Sequence, residues 1–136
     1  LSAADFFDTN ILIYAVMGGD PRSVIANDAL AQGGTISVQV LNEFTNVARR
    51  KYRRSWPEII GALADIRALC SPPLPLTAAT HERAVALAAA HSLAFYDALI
   101  IASALGAGCN TLLSEDMQHG QVIDGRMIIR NPFQVG

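Results

Sequence analysis

Cysteine is scarce in this chain: of 136 residues only Cys70 and Cys109 carry a thiol, and they lie far apart. With no Cys-x-x-Cys and no paired histidines, a zinc site of the usual spacing is excluded. Two cysteines make no disulfide framework, so a reducing, cytoplasmic setting is the simpler expectation and both thiols read as small buried hydrophobes. No run approaches the roughly 18 uncharged apolar residues of a membrane span, so no membrane partner is expected. The basic region, apolar core and cleavage site of a signal peptide are missing from the start, although a sequence opening on Leu1 can already be trimmed. Internal repeats, low-complexity tracts and interdomain linkers are also absent. Charge is sparse as well, at 16% of residues with a net of −2, beside an apolar fraction of 51%. Such a composition excludes disordered and fibrous chains and fits one globular domain over residues 1–136, large enough to bury a core.

The scarcity of charge is uneven, and its gaps are informative. No Lys or Arg lies between Arg83 and Arg126, yet Asp97, Glu115, Asp116 and Asp124 do. None precedes Arg22, while Asp5, Asp8 and Asp20 do; five of the ten basic residues crowd into Arg49, Arg50, Lys51, Arg53 and Arg54. Local salt bridges therefore cannot serve these acids. They must be exposed, paired through the fold, or neutralised by a bound cation.

What is present alternates between short apolar strands and apolar helices. Ala4 to Phe7 reads as a strand ending at Asp8, with a helix over Ile11 to Val16 that Gly18-Gly19-Asp20-Pro21 breaks. Pro21 opens a helix through Ala31, with Val24, Ala29 and Leu30 available for its buried face, and Gly33-Gly34 ends it. Thr35 to Val38 is β-branched and reads as a second strand. A helix from Gln39 carries Val40, Leu41, Phe44, Val47 and Ala48 and ends in the basic cluster. Ser55, Pro57 and Glu58 form a capping-box pattern for the next helix, whose apolar stripe is Trp56, Ile59, Ile60, Leu63 and Ile66. After Ser71-Pro72-Pro73 come a short extended Leu74-Pro75-Leu76, an Ala-rich helix from Thr80 to His91 with Val85, Leu87 and Ala88, and a helix from Ala94 to Ala107 apolar on nearly every face. Asn110 to Ser114 and Met127 to Ile129 read as the last strands, with a turn at Asp124-Gly125. The alternation predicts an α/β protein, a single α/β/α sandwich with a mainly parallel sheet.

Four acids occupy equivalent places in this scheme. Asp8 and Asp116 lie just past strands; Glu43 and Asp97 lie in the opening turns of helices. Each has an ordinary reading: a helix cap for Asp8, Asn10 or Asp97, a solvated surface position for Glu43, an Asx-turn for Asp116. Their recurrence matters more, because in an open α/β sheet the carboxyl ends of strands share one edge, where ligands bind. Two carboxylates 4 Å apart repel by about 4 kcal/mol at an effective dielectric near 20. Without basic neighbours the cluster is tolerable only if some acids are protonated or a hard cation such as Mg²⁺ or Mn²⁺ is bound. A metal-bound water attacking a phosphodiester is the chemistry that such a site suits. The basic stretch Arg49, Arg50, Lys51, Tyr52, Arg53 and Arg54 suits an RNA backbone, with Tyr52 able to stack on an unpaired base, or is a solvated helix end. His81, His91 and His119 read as surface or core residues.

Asp8-Thr9-Asn10 after the first strand, Glu43 in Val40-Leu41-Asn42-Glu43-Phe44, Tyr96-Asp97-Ala98 opening an apolar helix and Leu113-Ser114-Glu115-Asp116 after a late strand together resemble the PIN domain. The small bacterial VapC-type toxins are the nearest likeness, which covers essentially the full length. The resemblance implies a Mg²⁺- or Mn²⁺-dependent endoribonuclease, inhibited by a cognate VapB-type antitoxin and usually a homodimer. It further implies that Asp8, Glu43, Asp97 and Asp116 form the acidic metal site, with Asn10, Ser114 and Thr9 as supporting polar groups and Glu115 facing solvent. In the family the helical pair that here bears Trp56, Ile59 and Ile60 helps to receive the antitoxin, although by residue type these three read as core. Two other functional classes stay open: a receiver-like phosphoacceptor, which needs a lysine near the acids that the late segments do not offer, and a non-catalytic RNA-binding module.

Overall fold

The computed structural model describes residues 5–134, so Ala4, at the head of the first strand read from the sequence, lies outside them. Two fully buried phenylalanines make β1 (Phe6–Phe7); the other strands are β2 (Thr111–Leu113), β3 (Val122–Ile123) and β4 (Met127–Arg130). They lie in the order β1-β2-β4-β3. Phe6 pairs with Leu112 and Leu112 with Ile129, both in parallel, while β3 returns antiparallel on β4 through the Asp124-Gly125 turn. β3 is absent from the sequence reading because two residues, one of them exposed, leave no periodicity to detect. Among the described residues six helices surround the sheet: α1 (Thr9–Met17), α2 (Ser23–Ala31), α3 (Val38–Arg50), α4 (Trp56–Leu69), α5 (Ala78–His91) and α6 (Phe95–Gly106). This is the expected mainly parallel α/β arrangement.

Local chemistry sets most helix starts. Asp8 caps α1, Ser37 caps α3 and Thr77 caps α5, each through its side-chain oxygen. At α4 the capping box forms as the pattern predicts: Ser55 Oγ accepts from Glu58 N at 3.2 Å, and Glu58 Oε1 accepts from Ser55 N at 3.0 Å. α6 buries eight consecutive residues, Ala98 to Leu105, and with Phe6, Phe7, Phe44, Ile36 and Leu112 makes the core. Among the described residues no single helix is long and apolar enough to cross a membrane; α5 and α6 reach that apolarity only as a pair bent by 115°.

Several expectations need correction. Thr35 to Val38 is not a strand: Thr35 bridges Phe6 and Ser37 bridges Leu74, both in parallel, before Ser37 turns into the cap of α3. The run is too short to hold a ladder once its last residues are needed to start a helix. Because α2 begins at Ser23, two residues after Pro21, its buried face is Ser23, Ala26 and Leu30, and Val24 is 69% exposed. Val85 likewise faces out of α5, whose buried residues are Ala84 and Leu87. On α4 the core takes Ile59 and Ile66, leaving Trp56 at 51% and Ile60 at 65% exposure. Cys109 is buried, but Cys70 only partly. Gly33 ends α2 with a positive φ of 81°, whereas Gly34 has a second task that pattern reading does not reveal: a Cβ there would meet the Phe7 ring at 2.6 Å.

Candidate active site

Residues from widely separated parts of the chain line one open cavity of about 440 Å³. Asp8 reaches it from the end of β1, Glu43 from α3, Asp97 from the first turn of α6 and Asp116 from the loop after β2. All four acids singled out in the sequence are thus brought together, and Thr9 and Asn10 join them.

The local fold explains each placement. Parallel pairing of β1 with β2 sets the end of one beside the end of the other, and Asp8 N donates to Leu113 O at 2.9 Å. On α3 the stripe Val40, Phe44, Ala48 is buried in the core, so the adjoining stripe Gln39, Glu43, Val47, Lys51 lies along its margin; Glu43, Val47 and Lys51 line the cavity. Asp97 is the third residue of α6, whose N-cap is Ala94, with no side-chain capping bond; Asp97 therefore does not cap its helix.

The hydrogen bonds on the acids are almost all from neutral donors. Asp8 is buried, accepting from Ser114 Oγ at 2.6 Å and from Thr9 N at 2.7 Å. Glu43 accepts from Thr9 Oγ1 at 3.0 Å through one oxygen and from Gln39 Nε2 at 3.0 Å through the other. Asp116 accepts from Asn10 Nδ2 at 3.2 Å, while Asn10 Oδ1 accepts from Glu115 N at 3.2 Å. Asp97 has no hydrogen-bond or ion-pair partner among the described residues. Burial pushes the Asp8 carboxyl up to about 7, against the lowering effect of Ser114 and the Thr9 amide, and the charges of Asp97 and Glu43 add to the rise. Asp97 is also raised, by burial first and then by the negative charges of Glu43 and Asp116.

Gln39 was not singled out from the sequence, although its position four residues before Glu43 on a helix is the signal that could have found it. A second group joins residues that the sequence leaves apart. Arg22 grips Asp20 through Nε at 2.8 Å and Nη2 at 2.7 Å, reaches Glu115 Oε2 through Nη1 at 2.6 Å, and stacks 4.1 Å from the Tyr14 ring centre. Tyr14 OH donates to Glu115 Oε1 at 2.5 Å. Glu115 therefore does not simply face solvent, and Asp20 does have a local cation. This knot holds the Asp20 carboxyl down to about 2 through its bonds from Arg22. It raises the Tyr14 phenol to about 12, by burial and by Glu115. Tyr14, Asp20 and Arg22 line the same cavity.

The basic stretch divides. Lys51 and Tyr52 line the cavity, but Arg49 lies over the Trp56 ring at 5.0 Å and donates to Arg54 O, and Arg54 pairs with Glu58 at 3.6 Å. Arg50 and Arg53 are exposed.

The donor set fits a hard divalent cation. The cavity wall carries five carboxylates, Asp8, Asp20, Glu43, Asp97 and Asp116, against two cations, Arg22 and Lys51, and Arg22 is already engaged. Among the described residues no three acids close to coordinating separation; they ring the cavity. Mg²⁺ suits that spacing, since it keeps several waters and takes only one or two carboxylates directly.

The pattern of the PIN domain matches residues 6–123 of this chain. Three solved structures share its fold. VapC20 of Mycobacterium tuberculosis, a sarcin-ricin loop cleaving toxin, is 24% identical, with a TM-score of 0.68 over 83% of this chain and 90% of its own. A toxin–antitoxin complex from Klebsiella pneumoniae gives 23% identity and a TM-score of 0.71 over 97% and 100%. VapBC2 of Rickettsia felis, bound to a fragment of promoter DNA, gives 17% and 0.63 over 93% and 97%. No curated protein is a significant match. With most of its length matched by the family pattern, and with the fold of the VapC20 and VapBC2 structures, the chain belongs to the PIN-domain family.

Proposed function

We propose that the chain is a Mg²⁺- or Mn²⁺-dependent endoribonuclease, the cytoplasmic single-domain toxin of a VapBC-type pair, acting as a homodimer. One observation carries this reading: four carboxylates from segments far apart in sequence line one cavity and lack cationic hydrogen-bond partners. The likeness to a sarcin-ricin loop cleaving toxin supports the substrate class. Structures solved as toxin–antitoxin complexes support the partner, for which the exposed Trp56 and Ile60 of α4 offer a surface.

Asp8, Glu43, Asp97 and Asp116 are the residues that would hold the ion. When bound, it supplies a water of lowered pKa and neutralises charge on the phosphoryl oxygens. The rest is positioning by this chain. Ser114 and the Thr9 amide fix Asp8, Thr9 and Gln39 fix Glu43 through both oxygens, and Asn10 holds Asp116. Asp97 has no hydrogen-bond partner among the described residues, which leaves its carboxylate free to take a proton from the attacking water. Lys51 at the cavity wall, with the exposed Arg50 and Arg53 beyond it, meets the strand's phosphates.

The test is cleavage of a defined RNA panel with Mg²⁺ or Mn²⁺ against a chelator. Metal-dependent internal cuts are expected, and a protein that cuts none of the panel under any divalent ion overturns the reading. RNA binding of equal strength without cleavage would favour the non-catalytic alternative. Lys51 does bring a lysine to the acids, from α3 and not from a late segment. An acyl-phosphate label on Asp8 would therefore favour the phosphoacceptor.

A further inference from the structure

Beside the acidic cavity lies a second, shallower cleft of about 500 Å³, lined by Gln39, Asn42, Glu43, Asn46 and Tyr96. Glu43 belongs to both. The reason is helical geometry. At about 100° per residue, Val47 and Lys51 lie roughly 40° and 80° to one side of Glu43, whereas Gln39, Asn46 and Asn42 lie roughly 40°, 60° and 100° to the other. α3 therefore presents Glu43 as a ridge, with a cationic slope toward the acids and an amide slope away from them.

The chemistry of the second slope is different in kind. It holds no cation, so it offers a phosphate no charge partner. Asn42 and Asn46 are exposed and make no side-chain bond to another described residue. They stand one turn apart, each with a free amide donor beside a carbonyl acceptor. Tyr96 closes the far side and is 64% exposed. Its neighbour Phe95 packs on His81 at 5.4 Å, and Tyr96 is tilted 58° from Phe95, so its ring is not consumed by the core. An open aromatic face opposite paired amides is the combination that receives unpaired bases: the ring stacks, and the amides read an edge.

We propose that this cleft takes one unpaired nucleobase of the RNA strand, next to the phosphate seated at the acids, and thereby sets the sequence preference at the cut. The proposal rests on the ribonuclease reading for its substrate and on the shared Glu43 wall for its position. Tyr96 supplies the stacking surface; Asn42 and Asn46 supply the discrimination.

The experiment compares wild type with Tyr96→Ala, Tyr96→Phe and the double variant Asn42→Ala/Asn46→Ala. All three positions are exposed, and circular dichroism confirms the fold of each. Two readouts are taken: steady-state cleavage with Mn²⁺ of single-stranded RNA randomised around one cut, and binding of fluorescein-labelled 8-mer oligoribonucleotides of each base without divalent ion. Tyr96→Ala should raise KM and weaken 8-mer binding by roughly tenfold, with kcat held within about threefold. Tyr96→Phe should restore both. The double asparagine variant should keep kcat but flatten the base preference beside the cut. Cleavage by wild type with KM, binding and preference unchanged in every variant overturns the subsite and leaves the ribonuclease reading intact. Binding that weakens in Tyr96→Ala while wild type cuts nothing keeps the subsite and overturns the ribonuclease. A wild type that neither binds nor cuts overturns both.

Discussion

Ser114 Oγ donates to Asp8 Oδ2 at 2.6 Å, joining residues 106 positions apart at the ends of two adjacent parallel strands. The same oxygen accepts from Met117 N at 3.1 Å, so one hydroxyl both steadies a buried carboxylate and starts the loop that carries Asp116. Ser114→Ala removes both bonds at a fully buried position. It should cost about 1–3 kcal/mol, the usual penalty for stranding a buried polar group. Urea unfolding measures it, and a midpoint identical to wild type would show that the bond does not hold the site together.

Asp97→Asn should move activity and stability in opposite directions. Metal-dependent RNA cleavage should fall at least about a hundredfold, because charge stabilisation around a bound ion is worth several kcal/mol. Stability without ion should hold or rise, since the substitution removes a charge that Glu43 and Asp116 repel and breaks no hydrogen bond to a described residue. A variant that loses stability along with cleavage would identify Asp97 as a structural residue.

The acids also set a pH dependence. In the unfolded chain Asp8 releases its proton near the ordinary value of 3.8, but in the folded protein it holds it up to about 7. Between those limits the folded state binds more protons, so ion-free stability must fall as pH rises from about 4 to 7. The raised Asp97 adds in the same sense. The lowered Asp20 acts in the opposite sense, but below pH 4. Thermal unfolding in a chelator should show the decline, Mn²⁺ at pH 7 should reverse it, and Asp8→Asn should flatten it. A midpoint that climbs across this interval contradicts the burial of Asp8 as a repelled charge.

Gly34→Ala tests a packing claim away from the site. Its Cβ would fall 2.6 Å from the Phe7 ring and 2.8 Å from Asp5 O, one a core side chain beside Asp8 and the other backbone. Overpacking of this kind costs typically about 1–3 kcal/mol. Equal stability of the variant would mean that Phe7 has room to turn away.

Much of this molecule was legible because its signals are local. The Ser55–Glu58 capping box, the polar stops after Phe7 and Leu113, and the uninterrupted apolar run of α6 each act within a few residues, so sequence order alone gives strands, helices and four acids at their ends. The rule that strand ends of an open α/β sheet share one edge pointed to one site, and the family likeness gave that site a chemistry. What was not legible depended on partners distant in sequence. Arg22 finds Glu115, 93 positions away, only because α1, α2 and the loop after β2 meet at the cavity rim. Val24, Trp56 and Ile60 have the residue types of a core and still face outward, because the rotation of α2 and α4 is fixed by what the neighbouring elements leave uncovered. The division of α3 into an acid slope and an amide slope likewise follows from which stripe the core claims, Val40, Phe44 and Ala48. Sequence determined the elements and the chemistry at their tips, through hydrogen bonds and periodicities a turn or two long. Tertiary packing alone decided which tips meet and which faces stay open, since those outcomes rest on surfaces that exist only once the chain has closed on itself.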